Sequence, residues 1–446
     1  MSAVLDLPVK PEARDYLASF AANPSEPGWL GERRRQGITR FAELGWPARR
    51  SESWRYLDLA PISRTRPAKP TAPTVHAAVI ERMALPQAAQ RIVLVDGCFV
   101  PGLSTLEAIE GVWFGSTARA IRERADLAQT LTAAMPLHDS EAFDALNAAF
   151  FSDGFVLELA PGVTLDRPVE IIHLAGHLAG HLAGQPADAS LHTRSLIALG
   201  AGAQATVIET YAGNDGRYWR NDLVTIRIGE HAELQRVVLV EEAAEAAHLG
   251  EVAAALDTNA RLSNFALLLG GRTVRHEATV TLAGDGARCT YDGAFIVAGR
   301  DEANIVTTID HAAPGGQTRE LVKAVGADRG HGAFQGRIIV RPGAQKTDAH
   351  QLSRNLIIGD RAVIDTKPEL EIHADDVKCS HGASVGDLDE AALFYLRSRG
   401  IAEAEARRLL IDGFLREAVE TVEQLDLHAY LLRRLAHRLA SLEASP

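Results

Sequence analysis

The stretch "PELEIHADDVKCSHGASVG" (368–386) sets a cysteine and a histidine, Cys379 and His381, one residue apart in a chain that has only three cysteines. In an extended segment residues i and i+2 share a face, so thiol and imidazole would stand side by side, either as two metal ligands or as a nucleophile with its base. Asp375, Asp376 and Lys378 make the neighbourhood polar. Lys378 and a protonated His381 would lower the thiol pKa and favour thiolate, the form that ligates soft metals. Zinc and iron–sulfur clusters typically take four ligands, so the remaining ones would have to come from elsewhere, for instance from another subunit. Glu369, Glu371 and His373 alternate onto one face of the preceding strand; they are either auxiliary iron ligands or, more commonly for such a pattern, a solvated face.

Two other patterns compete for attention. "HLAGHLAGHLAG" (173–184) spaces His173, His177 and His181 four apart, which would align ligands on a helix, but a glycine in every unit argues for a surface-loop expansion. "GASVG" (382–386) has the form of a nucleophile elbow around Ser384, yet only helical patterns follow it, with no strand to carry a catalytic acid and base. No G-x-x-x-x-G-K-[ST] occurs, so the chain is not expected to bind or hydrolyse nucleotide. Cys98 and Cys289 are expected to be structural.

The elements that would hold Cys379 and His381 are repetitive. Between about Phe155 and Cys379 the chain runs as strand, polar corner, small residue, strand, as in "VTIRIGEHAELQRVVLV" (224–240). The small residues Ala203, Ala232, Ala260, Ala287, Ala344 and Ala374 are separated by 29, 28, 27, 57 and 30 positions, and the double interval places a missing member near Gly315 and Gly316. A period of this length with two strands per unit reads as a solenoid whose units bury their apolar faces on one another. The leucine comb of leucine-rich repeats and the stripes of helical repeats are missing. A parallel β-helix is therefore expected, with a large antiparallel sandwich as its rival.

The flanks read differently. Residues 1–150 are mainly helical in pattern, with a breaker-rich linker around 61–75 ("PISRTRPAKPTAP" begins at Pro61) and one strand-and-turn at "RIVLVDGCFVPGL" (91–103). Residues 151–385 are the β-helix core. From 386 to 446 the pattern is helical again: one helix stops at Gly400, a second carries Leu409, Leu410, Phe414, Ala418 and Val422 on one face, and a third closes the chain. This helical part is expected to cap the solenoid and to offer leftover apolar surface to a partner.

With 58 acidic and 46 basic residues, a net charge of −12 argues against a nucleic-acid or anionic-membrane footprint. The scattered cysteines suit a reducing compartment. Neither a signal-type apolar segment nor a run of about 18 apolar residues is present, so a cytoplasmic protein is expected.

"TKPELEIHADDVKCSHGASVGDLDEAALFYLRSRGI" (366–401) closely resembles the C-terminal signature of the SufB/SufD family of iron–sulfur cluster assembly scaffolds, on its SufD side. "SESWRYLDL" (51–59) and "LNAAFFSDGFVLELAPGVTLDRPVEI" (146–171) are similar to two further family segments. The HLAG repeat departs from the pattern, and the extra cysteines of SufB are missing. The resemblance implies a right-handed parallel β-helix between helical terminal regions. It also implies pairing with SufB through the β-helix, docking of the ATPase SufC on the C-terminal helices, and a nascent iron–sulfur cluster shared with SufB near Cys379 and His381. His381 is the better ligand candidate, and Glu371 and His373 are weaker ones. The chain would then be a non-catalytic scaffold subunit, with ATP hydrolysis left to SufC. A structural homodimer without a ligand role is the alternative; a β-helix carbohydrate enzyme would need paired carboxylates, and none stands out.

Overall fold

Each circuit of the chain lays one strand in each of two parallel sheets, as the period of the small residues predicts. The computed structural model describes residues 14–20, 26–48, 50–63, 65–67, 77–132, 141–175, 189–213 and 216–443. One sheet runs from Val112–Ser116 and Phe155–Leu159 through Ala189–Leu199, Tyr218–Ile228, Ala247–Leu256, Thr273–Leu282, Glu302–His311 and His331–Val340 to Val363–Ile372. The other runs from Cys98–Phe99 and Gln90–Val95 through Val169–Ala175, Gln204–Gly213, Glu233–Glu241, Arg261–Gly270, Arg288–Val297, Gln317–Gly326 and Asp348–Ile357 to Lys378–Gly386. Apart from the antiparallel first pair of each sheet, successive strands pair in parallel, so the fold is a parallel β-helix and the antiparallel sandwich is excluded.

The corners explain the period. Gly202, His231, Asn259, Gly286, Gly315 and Lys346 take left-handed conformations with φ of 69°, 58°, 53°, 69°, 71° and 61°. Each is followed by a small buried residue that turns into the interior: Ala203, Ala232, Ala260, Ala287, Gly316 and Thr347. Gly316 is the missing member of the alanine series. In the next circuit a longer corner buries both Ala344 and Thr347. The left-handed residues also stack. Their N–H groups donate to carbonyls of the following circuit, from Gly202 to Glu230 at 2.8 Å, through His231 to Thr258 at 2.9 Å, to Lys346 and Asp376 at 2.6 Å. Backbone groups that a corner would otherwise leave unpaired are thus satisfied along the solenoid axis.

Alternate strand residues point inward. Ile226, Val252, Val280, Ile309 and Ile338 of one sheet meet Val207, Leu234, Leu262 and Cys289 of the other in a single apolar core. Part of the interior is polar instead. Arg236 donates to Glu209 at 2.6 and 2.9 Å, and the Tyr211 hydroxyl donates to Glu209 at 2.8 Å and to Asp222 at 2.5 Å. Such buried charges are tolerable only because they are paired and hydrogen-bonded.

The helices lie along the flanks of the solenoid. Trp54, Phe143 and their neighbours pack on Trp219 and Leu249 of the first sheet. Helices Glu403–Val419 and Leu425–Glu443 pack Ile411, Leu415, Leu431 and Leu435 on Val237, Leu239, Phe265, Leu267 and Val325 of the second. Lys323, almost fully buried, donates to the Phe414 carbonyl at 2.9 Å and pairs with Glu417, while Arg438 pairs with Asp301 at 2.9 Å. The expected cap is therefore corrected: these helices cover the side of the solenoid, and no described residue covers the end of its last circuit. The predicted helix face also shifts, since Ile411, Leu415, Ala418, Val419 and Val422 are buried while Leu409 is exposed. In the N-terminal part, Gln90–Val95 pairs in parallel with Val169–Ala175 and so forms a rung of the second sheet. Most of the expected linker, from 68 to 76, lies outside the described residues, whereas Ala60–Ser63 is helical.

Candidate functional site

The last circuit, Val363–Ile372 and Lys378–Gly386, rests on His331–Val340 and Asp348–Ile357. Among the described residues no strand pairs with its other side. The interior of the solenoid therefore opens here. Strand alternation decides which side chains line the opening. Cys379 stands in register with Ala349, a core residue, and packs partly buried against the interior cluster. His381, two residues on, stands in register with Gln351 on the same inward face and is exposed at the mouth. The sequence reading of a side-by-side pair holds.

The reading of a charged neighbourhood does not. Lys378 and Ser380 fall on the opposite, outward face of the strand, and Asp375 and Asp376 sit in the corner before it. Burial raises the Cys379 thiol above its ordinary value, with the Ala349 backbone pulling only weakly the other way. The Cys379 thiol is thus less acidic in the isolated chain than a free cysteine, and an incoming cation would favour its thiolate. Cys289 is fully buried, and Cys98 is half-buried with its thiol pushed up to about 11 by burial first and by Asp153 second.

Glu369, Glu371 and His373 belong to the other sheet of the same circuit. Glu371 faces outward and its carboxylate lies 2.9 Å from His373 Nε2, both side chains being exposed. The His373 contact holds the Glu371 carboxyl below its ordinary value. Glu369 pairs with Lys367 at 3.0 Å. The fold thus separates this outward group from the inward Cys379–His381 pair. Among the described residues no three His, Cys, Asp or Glu side chains converge on a common metal position. Cys379 and His381 offer one soft and one borderline donor, a set that suits iron or an iron–sulfur cluster once other donors are added.

The competing motifs resolve by position. His173 lies in strand Val169–Ala175, wholly buried, with its ring stacked on Tyr211 at 4.3 Å and its pKa pulled well down by burial; it is a neutral core residue, not part of a surface loop. His177 and His181 lie outside the described residues. Ser384 sits within the extended strand Lys378–Gly386 rather than on a strand-to-helix turn, so the elbow reading falls. Sequence reasoning missed one cluster. Ser380 Oγ lies 2.5 Å from His350 Nδ1, and His350 Nε2 lies 2.8 Å from Asp348, which Arg319 also holds at 2.9 Å. Thirty residues separate Ser380 from His350, and only the circuit length brings them together. On an exposed strand face the line has no water-excluding pocket of the kind acyl transfer needs.

A family model described as "SUF system FeS cluster assembly, SufBD core domain" matches residues 181–414, and one described as "SufBD protein N-terminal region" matches residues 21–171. The chain is 30% identical over 405 residues to the iron–sulfur cluster assembly protein SufD of Escherichia coli (strain K12), covering 91% of this chain and 92% of the relative. It is 29% identical over 422 residues to an iron–sulfur cluster assembly SufBD family protein of Synechocystis, covering 91% and 90%. It is 26% identical over 419 residues to the SufD of Bacillus subtilis, covering 91% and 93%.

Proposed function

The chain belongs to the SufBD family of iron–sulfur cluster assembly proteins, and from that membership we propose that it is the SufD-type scaffold subunit of a cytoplasmic Suf complex, pairing with SufB and docking the ATPase SufC. The observation that carries this reading is the bare last circuit. Among the described residues it offers two unpaired strand edges, exposed Val363, Ile372 and Val385, and the inward Cys379–His381 pair at one place. A homologous β-helix presenting the same kind of end would continue both sheets and cover the apolar residues. It would also bring donors to the two that this chain supplies. In this reading the nascent cluster is cargo held between subunits, with His381 as ligand and Cys379 as ligand or sulfur carrier; Glu371 and His373 remain outer, weaker candidates.

SufC docking is assigned to the C-terminal helices. Helix Glu390–Ser398, capped by the Asp389 carboxylate at the N–H groups of Ala391 and Ala392 (2.8 and 3.1 Å), leaves Phe394 and Tyr395 73% and 57% exposed. Large exposed aromatics on a short helix fit a partner surface. The chain itself has no phosphate-binding loop, which fits a subunit that leaves ATP hydrolysis to its partner. Anaerobic co-expression with SufB and SufC tests the assignment: the three chains should co-purify, Val385→Glu should release SufB, and Phe394→Ala with Tyr395→Ala should release SufC. Recovery of a homodimer alone, with no SufB or SufC bound, would favour the structural homodimer reading and overturn this one.

A further inference from the structure

The residue in register beneath His381 is Gln351. Gln351 is 2% exposed and stands in register between Glu320 on one strand and His381 on the next. Its Nε2 donates to Glu320 Oε2 at 2.6 Å. That bond fixes the amide whenever Glu320 is ionised, because a carboxylate only accepts, and it then leaves Oε1 as the atom that must find a donor. Oε1 is buried and has no partner. Across the lumen the chain has glycine at position 336, where a β-carbon would come within 2.7 Å of Gln351 Nε2. The space for this amide is thus kept open by the opposite sheet. His381, on the other side of Gln351, has no hydrogen bond or ion pair with any described residue. Adjacent parallel strands lie about 4.8 Å apart, so an imidazole N–H reaches the amide oxygen of its register neighbour by side-chain rotation alone.

We infer that Gln351 is a positioning residue for His381: Gln351 Oε1, anchored from below by Glu320, accepts a hydrogen bond from one ring N–H of His381 and so presents the other ring nitrogen, unprotonated, to the open end of the solenoid. An unpartnered buried carbonyl is costly, and an imidazole that must ligate through one nitrogen commonly donates its other N–H to a fixed acceptor. Both requirements are met by one bond. The inference rests on the proposed role of His381, but its test does not depend on cluster loading.

The experiment uses the full-length, metal-free chain labelled with 15N-histidine, about two pH units above the ordinary imidazole value. Long-range 1H–15N correlations report the tautomer of each ring, and His381→Ala identifies the His381 signals. One tautomer of His381 should dominate by at least about fivefold, and Gln351→Met should collapse that ratio to the one His381 shows in the denaturant-unfolded chain at the same pH. A wild-type ratio equal to that of the unfolded chain, or a dominant tautomer unchanged in Gln351→Met, overturns the inference. If Gln351→Met fails to fold, the wild-type ratio alone decides. In the SufB–SufC complex the same variant should lower iron affinity about tenfold. A biased tautomer with unchanged iron binding in His381→Ala would leave the bond standing and remove the proposed ligand role instead.

Discussion

Cys379 stacks on Ala349, one rung from the open end of the solenoid, and this burial outweighs any neighbouring charge in setting the state of its thiol. A raised pKa means less thiolate near neutrality than a free cysteine carries. Alkylation of the isolated native chain near pH 7.5, mapped by mass spectrometry, should therefore be several-fold slower at Cys379 than at the same cysteine in the unfolded chain. Cys289 should react only after unfolding. Faster alkylation of native Cys379 would restore the activated-thiolate reading.

Glu320 gives a pH dependence of definite sign. Burial raises its carboxyl from the ordinary 4.5 to about 7. Because the folded value lies above the unfolded one, the contribution to stability is fully present below about pH 4.5 and is lost as the pH rises through about 7. Relative to Glu320→Gln, the wild type should lose roughly 3 kcal/mol between pH 4.5 and pH 8. Denaturant titrations of both proteins at the two ends of the range measure this difference, from which the other titrating groups cancel.

The C-terminal helices should loosen when Lys323 is removed. Its ammonium lies 4.3 Å from the centre of the Phe414 ring and satisfies the Phe414 carbonyl. Lys323→Ala removes both contacts and leaves a cavity under the helix, costing roughly 2 kcal/mol. Hydrogen exchange should accelerate across 403–443 while the strands of the opposite sheet stay protected.

Glu371 and His373 bond to each other on an exposed outward face. Glu371→Ala and His373→Ala should leave the denaturation midpoint and the iron content of the assembled complex unchanged. A loss of iron in either variant would move the site to the outer rim.

The repeat was legible because its cause is local. A left-handed corner followed by a small inward residue constrains composition at every circuit, so Ala203, Ala232, Ala260 and Ala287 mark it. The end of one helix was legible for the same reason, through Gly400 at φ 87°. The side on which the terminal helices pack was not, since it depends on which strand faces are apolar once the sheets exist. Leu409 and Leu410 differ in burial by one position on the same helix, a distinction that periodicity alone does not fix.

In the site, the pairing of Cys379 with His381 followed from strand alternation, and the same alternation removed Lys378 from the pair. What stayed hidden were contacts one circuit apart. Gln351 beneath His381, Glu320 beneath Gln351 and His350 beside Ser380 are about 30 residues distant in the chain. They become visible only when the register of each strand on its neighbour is known. Paired interior charges such as Arg236 and Glu209 were hidden for a similar reason: read alone, each looks like a surface residue.

The most direct measurement is the iron content and visible absorption of the complex purified anaerobically after co-expression with SufB and SufC, comparing wild type with His381→Ala and Cys379→Ala. Complexes of normal composition are expected, in which His381→Ala loses iron and colour. Complexes that assemble and load clusters like wild type in both variants would contradict this expectation and leave this chain a structural partner only.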